Sequence, residues 1–231
     1  LFNAPGEVMD AIKDAGYQVL DLAHNHILDS QIEGVVSTAD AIEKAGMTPI
    51  GVYTHEPRDK APIVIKEVNG IKVALLAYSY GFNGIEQSIS QEDYNRYLSD
   101  LDEDKMKAEI ERAEKEADIT IIMPQMGVEY QIEPTEEQKK LYHKMIDWGA
   151  DIIFGGHPHV VEPAETVEKE GDKKLIIYSM GNFISNQRIE TMQDVENAKW
   201  TERGVLMDVT IKKKSGKTTI ETARAHPSWV S

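Results

Sequence analysis

Apolar residues recur at helical spacing and then close into short β-branched runs three times along this 231-residue chain. In PGEVMDAIKDAGYQVLDLAHNH a spacing near 3.6 predicts an amphipathic helix, a stop at Gly16 and a strand over 17–23. EDKMKAEIERAEKEADITIIMPQMG predicts a helix and then a strand over 118–123. TEEQKKLYHKMIDWGADIIFGGHPH predicts a helix, a stop at Gly149 and a strand over 151–154. These strands are almost wholly apolar, the pattern of strands covered on both faces.

Elsewhere the pattern is that of hairpins. APIVIKEVNGIKVALLAYSY (61–80) places Asn69-Gly70 between two strand-like runs, a strong turn signal. KKLIIYSMGNFIS (173–185) reads as a buried strand entering a polar loop, and GVLMDVTIKKKSGKTTIETARAHPSWV (204–230) as a closing hairpin around Ser215-Gly216. Helices and strands alternate early and hairpins gather later. The order predicts an α/β fold with two packed sheets and helices outside, rather than one doubly wound sheet. The length suits a single larger domain.

Each helix–strand unit runs out into a polar loop: HNH at 24–26, PQMGVEY at 124–130 and GGHPH at 155–159. Ligands of open α/β sheets gather beyond the carboxyl ends of the strands, so these loops are expected to meet at one sheet edge. His157 and His159 flank Pro158. In an extended segment they point to the same side, which suits chelation by two imidazoles. The alternative is a loop with two solvated histidines. Gly155 and Gly156 let the backbone pass close to a ligand.

Asn25 and His26 offer an amide oxygen and a proton donor, with His24 beside them and Asp29 a turn beyond. A cap and turn would use the same residues. Gln125 is a weaker ligand than histidine. Glu129 could ligate, orient a histidine or act as a base, or sit in a plain polar loop. Asn182 lines a site or shapes a turn. His55, His143 and His226 read as structural or solvated, and Lys212, Lys213 and Lys214 as a solvated strand end.

Composition acts by exclusion. A formal net charge of −15 repels nucleic acid and anionic lipid, so no nucleic-acid partner is expected. The chain has no cysteine, which leaves histidine, carboxylate and amide groups to carry any metal chemistry. No apolar run approaches the roughly 18 residues of a membrane span.

DAGYQVLDLAHNHILD, MPQMGVEY, GADIIFGGHPHVVEP and IIYSMGNFISNQ, in this order and spacing, resemble the CapA family. Its members are bacterial poly-γ-glutamate capsule biosynthesis proteins whose domain is similar to calcineurin-type metallophosphoesterases. The resemblance covers essentially the whole chain. It implies one domain over 1–231, a four-layer α/β/β/α sandwich with divalent ions of the Mn, Fe or Zn class, two in the full-length protein, at one sheet edge. Asn25, His157 and His159 would be metal ligands, with Gln125 where many relatives carry a histidine ligand. His26 would be the general acid, and His24, Glu129 and Asn182 would line the site. Relatives begin with a strand ending in Gly-Asp and a second acidic motif, and nothing like them precedes residue 25. The chain is therefore expected to lack the N-terminal strand region, and its metal centre to be incomplete.

The resemblance further implies an acidic capsule polymer or a phosphorylated precursor as ligand, and membrane proteins of capsule synthesis as partners. It places the domain on the extracellular face of the cell membrane, through an anchor upstream of this chain. Its chemistry would be phosphoester hydrolysis. The alternative is a non-catalytic component of a capsule assembly or export complex, binding polymer or partner.

Overall fold

The three helix–strand units form where the apolar spacing places them. The structure, a computed structural model, describes residues 4–229. The chain divides into two compact units, one built from Leu1–Val64 and Leu76–Glu103, the other from Ile65–Leu75 and Asp104–Ser231.

In the first unit, α1 (Glu7–Asp14) leads to β1 (Val19–Asp21), and α2 (Gln31–Lys44) leads to β2 (Thr48–Ile50). β1 and β2 pair in parallel. Helix α2 buries Val35, Ala39 and Ile42, a spacing of four and three that puts them on one face. Leu28, Val35, Phe82 and Leu98 form an apolar cluster beneath the loop that follows β1. A short helix, α3 (Gln91–Tyr97), is capped by the Ser90 hydroxyl, which accepts from the Asp93 amide.

Arg58 is buried, pairs with Asp100 and lies over the Tyr78 ring at 5.7 Å. The Tyr94 hydroxyl donates to the second Asp100 oxygen at 2.9 Å. A buried charge needs this degree of pairing to be tolerated.

The second unit carries the sheet. β3 (Val64–Val68) and β4 (Ile71–Ser79) form the hairpin anticipated at Asn69-Gly70, whose φ angles of 52° and 77° match the left-handed pair such a turn requires. β4 contributes residues to both units. The sheet continues with β5 (Ile119–Gln125), β6 (Ile152–Phe154), β7 (Ala164–Lys169) and β8 (Asp172–Ile177), in the order β3-β4-β5-β6-β8-β7. β6 lies parallel to both β5 and β8, so the exits of all three point the same way. The β7–β8 hairpin, which the apolar pattern does not announce, turns at Glu170-Gly171. β7 reads AETVEK, too polar to resemble a strand, because it lies at the edge of the sheet.

Two helices feed the parallel strands. α4 (Glu103–Glu116) buries Met106, Ile110 and Ala113; α5 (Glu136–Trp148) buries Leu141, Tyr142, Met145 and Ile146. The closing hairpin is β9 (Arg203–Lys214) with β10 (Lys217–Trp229), paired antiparallel. Its alternate residues Met207, Val209, Ile211 and Ile220 pack onto Ile152, Leu175 and Ile177 of the sheet. Two sheets thus meet face to face in this unit, as the late hairpins predict.

Helix α5 starts in a capping box. The Thr135 hydroxyl accepts from the Gln138 amide at 3.1 Å, and the Gln138 side-chain oxygen accepts from the Thr135 amide. Thr135→Ala is expected to lower the unfolding free energy by about 1 kcal/mol, read as a lower urea midpoint at unchanged slope.

Candidate functional site

The parallel register brings the loops after β5, β6 and β8 together. Gln125, the last residue of β5, forms a backbone bridge with Gly156, and the amide of Met126 donates to the Gly156 carbonyl at 3.0 Å. Val161 bridges to Met180, and the Tyr130 amide donates to the Pro158 carbonyl at 2.8 Å. Gln125, Glu129, His157, His159 and Asn182 therefore share one end of the sheet in the second unit. His24, Asn25 and His26 belong to the first unit.

The histidine loop differs from the extended segment that its spacing suggests. His157 and His159 have φ angles of 103° and 62°, in the left-handed region that a residue with a Cβ rarely adopts. Their rings stand 6.2 Å apart and are tilted by 51°. They are neighbours because a turn folds them so, not because a strand alternates. Gly155 also has a different reason. A Cβ there would lie 2.0 Å from the Tyr178 carbonyl oxygen and 2.8 Å from the Tyr142 hydroxyl, whereas Gly156 has nothing within 4 Å. Gly155 admits the neighbouring strand, not a ligand.

His159 is held on three sides. Its Nδ1 lies 2.9 Å from Asn182 Oδ1, its ring stacks on Tyr130 at 6.0 Å, and its Nε2 stands 4.0 Å from Glu129 Oε1. Asn182 is buried, and its Nδ2 donates to the Thr201 carbonyl at 2.9 Å and to Gln187 Oε1 at 3.0 Å. With both amide protons committed, Asn182 can only accept from His159. The proton thus sits on Nδ1, and Nε2 carries the lone pair that a ligand or a proton would meet.

Beneath the loop lies a buried polar cluster that the sequence motifs do not reveal. Gln138, fully buried, donates from Nε2 to Glu162 Oε2 at 2.8 Å and to the Tyr178 carbonyl at 3.1 Å. Tyr142 stacks flat on Tyr178 at 5.4 Å. Glu162 is only 3% exposed, and its Oε1 has no hydrogen-bond partner among the described residues. Burial pushes its carboxyl up to about 7, partly offset by the Gln138 hydrogen bond, with the Glu133 carboxylate adding to the rise.

In the first unit the loop after β1 builds a second group. His26 Nδ1 lies 3.1 Å from both oxygens of Asp29, a carboxylate with 5% of its side chain exposed. That carboxylate holds the proton on Nδ1 and makes Nε2 the nitrogen that exchanges protons with a substrate. Asn25, also buried, donates from Nδ2 to Asn83 Oδ1 at 3.0 Å and to the Tyr80 hydroxyl at 3.5 Å. The end of Asn25 with ligand chemistry is accordingly its oxygen. His24 pairs back to Asp21 at 3.4 Å. Tyr80 and Asn83 escape a motif search, although the SYGFNG run after β4 repeats the strand-to-polar-loop pattern of the other three.

Among the described residues no three His, Cys, Asp or Glu side chains group closely enough to hold a metal ion. The donors of each unit, taken by itself, fall short of the shell a two-metal centre needs. Gln125 offers a neutral amide rather than an imidazole, and Asp29 is engaged with His26. Of the remaining histidines, His143 pairs with Glu165 at 2.7 Å, His55 with Glu43 at 2.8 Å and His226 stands 4.0 Å from Asp208, all partly exposed, as a structural reading expects.

Two outcomes follow. Long-range nitrogen–proton spectra should show His159 protonated on Nδ1 in the neutral state, and Asn182→Ala should shift it toward a tautomer mixture. An unchanged pattern would remove Asn182 as the orienting group. For Glu162, the folded carboxyl takes up a proton more readily than the unfolded one, whose ordinary value is 4.5. Its contribution to stability is then fully present below that value and is lost as pH rises toward about 7. Glu162→Gln should flatten this decline in thermal midpoints measured across that window, and parallel curves would refute the assignment.

Comparison with known proteins adds the lineage. The family model described as bacterial capsule synthesis protein PGA_cap matches residues 1–187. The capsule biosynthesis protein CapA of Bacillus anthracis is 34% identical over 189 residues, covering 80% of this chain and 44% of that protein. The PGA biosynthesis protein CapA of Bacillus subtilis strain 168 is 31% identical over 182 residues, covering 78% of this chain and 46% of that protein. The chain thus spans less than half the length of these relatives. Among solved structures, the calcineurin-like phosphoesterase YfkN from Bacillus subtilis matches with a TM-score of 0.57 at 15% identity, covering 96% of this chain and 66% of that one. The Thermus thermophilus sulfate thiohydrolase SoxB in complex with glycerol matches with a TM-score of 0.56 at 13% identity, covering 96% of this chain and 34% of that one. At such identities the likeness shows the fold alone, and that fold is the α/β fold of the calcineurin-like phosphoesterases. The motifs around the polar loops and the family match along most of the sequence agree: the chain belongs to the bacterial capsule synthesis protein family.

Proposed function

We propose that this chain serves in making a poly-γ-glutamate capsule, as a domain on a phosphoesterase fold that binds the acidic polymer or its phosphorylated precursor. It works on the extracellular face of the membrane, beside the membrane proteins of capsule synthesis. The observation that carries this reading is the family match over residues 1–187, joined by two relatives named for capsule or PGA biosynthesis. A binding role is favoured over a hydrolytic one because Gln125 offers a neutral amide where a histidine would be the stronger metal ligand. His159 then acts as an acceptor through Nε2, set in place by Asn182.

One observation favours the second reading, a divalent-metal phosphoester hydrolase. The His26–Asp29 pair has the form of a general acid oriented by a carboxylate, and such a group lends about 10²–10⁴-fold to a reaction that must protonate a leaving oxygen.

Genetic complementation separates the two. Deleting the gene should reduce cell-surface γ-linked polymer, and the wild-type gene should restore it. A deletion strain with normal polymer would sink the capsule assignment. Under the binding reading, His26→Ala restores polymer substantially. Under the hydrolase reading it does not, and the purified full-length protein shows metal-dependent phosphoester hydrolysis that His26→Ala abolishes.

A further inference from the structure

The second unit holds a groove of about 540 Å³ whose walls include Ile132, Val161, Trp200, Pro227 and Trp229. Arg203 is the single charged residue in its lining. The guanidinium lies 4.8 Å from the Trp200 ring centre and 4.7 Å from that of Trp229, gripped between two indoles. Trp229 is the cross-strand partner of Arg203 in the closing hairpin, so hairpin register sets this pairing. Lys199, outside the lining, lies over the Trp200 ring at 5.1 Å. No carboxylate pairs with Arg203 among the described residues, although the chain as a whole carries −15.

The cradle is joined to the His159 corner by short links. Asn182, which orients His159, donates to the Thr201 carbonyl next to Trp200. Gly181 bridges to Gly204, and a Cβ on Gly204 would lie 1.9 Å from the Asn182 carbonyl oxygen. Val161, two residues beyond His159, forms part of the wall.

The chemistry of the walls selects the ligand. A guanidinium set against two indole rings carries a planar fork of N–H donors, and that fork matches a carboxylate with two parallel hydrogen bonds. The indoles, Ile132 and Pro227 offer apolar surface to carbon rather than to further charge. Ile132, Val161 and Trp229 are each more than a third exposed, which marks a binding surface more than a core. A lone lining cation suits a singly charged group better than a phosphate dianion.

We infer that the Trp200–Arg203–Trp229 cradle binds carboxylates of an acidic polymer with an aliphatic backbone, namely γ-linked polyglutamate. In that polymer each carboxylate sits on the backbone beside two methylenes, so one repeat presents both an anion for Arg203 and carbon for the indoles. The choice of polymer rests on the capsule reading above; the cradle itself rests on the groove.

Trp200 and Trp229 are two of the three tryptophans in the chain, so intrinsic fluorescence reports on the cradle directly. Titration with a short γ-linked glutamate oligomer should give a saturable change that weakens with added salt. Arg203→Gln and Trp229→Ala should each raise Kd about tenfold or more, the first by losing a charge-assisted contact and the second by losing the ring that supports it. Arg203→Lys should recover part of the loss, since charge stays and the fork goes. An α-linked oligomer of equal length should bind more weakly, and inorganic phosphate should not compete at equal ionic strength.

Both Arg203 and Trp229 are exposed, and unchanged circular dichroism would certify that each variant folds. If the wild-type chain binds the γ-linked oligomer and neither variant weakens it, the cradle is overturned while the capsule assignment stands. If the wild type does not bind it, both the cradle and its polymer ligand fall, and the deletion phenotype alone then judges the capsule assignment.

Discussion

The central constraint is the position of β6 between β5 and β8. A three-residue strand paired in parallel on both sides has little freedom, and its exit carries Gly155 into a space that no side chain could share. From that point the chain must turn sharply. The turn puts two histidines into left-handed backbone, where strain of order 1–3 kcal/mol per residue is offset by the surrounding contacts. Backbone hydrogen bonds from Met126, Tyr130 and Met180 fasten the turn to its neighbours. The polar end of this unit is thus a consequence of sheet register, not of the loop sequences alone.

The side chains that matter most for orientation lie behind the histidines. Asn182 commits both amide protons elsewhere and so decides which nitrogen of His159 bears a lone pair. Gln138 starts helix α5, closes its capping box and reaches Glu162 and the Tyr178 carbonyl with the same amide. One residue therefore couples the start of a helix to the floor of the loop. Glu162 remains a high-stakes group, because a buried carboxylate with one oxygen unpaired keeps its charge only at a cost.

The same network reaches outward to the surface. Thr201, the acceptor of Asn182, adjoins the turn that presents Trp200, and Arg203 opens the hairpin whose last residue is Trp229. An apolar groove with a gripped cation stands out on a chain of strong negative charge. The net charge of −15 repels an anionic ligand at long range, and here such a ligand meets a guanidinium set against two indoles.

Much of the architecture was legible in the sequence because the signals are local. The 3.6-residue spacing of Met106, Ile110 and Ala113, the Asn69-Gly70 turn and the alternation of Val205, Met207, Val209 and Ile211 each act over a few residues. The identities of Asn25, His26, Gln125, His157, His159 and Asn182 as polar residues at strand exits were readable for the same reason. The shape of the histidine turn was not, since its positive φ angles answer to strand neighbours far along the chain. Nor were the partnerships of Glu162 with Gln138, Asn83 with Asn25 and Arg203 with two tryptophans, which join residues that only folding makes adjacent. Sequence by itself determined the three helix–strand units, the two long hairpins, the family and the polar ends of the strands, because periodicity and motif spacing are properties of neighbours. Tertiary structure alone decided which nitrogen is available, which carboxyl resists ionisation and where a cation is gripped, because burial and hydrogen-bond partners come from segments that meet only in the fold.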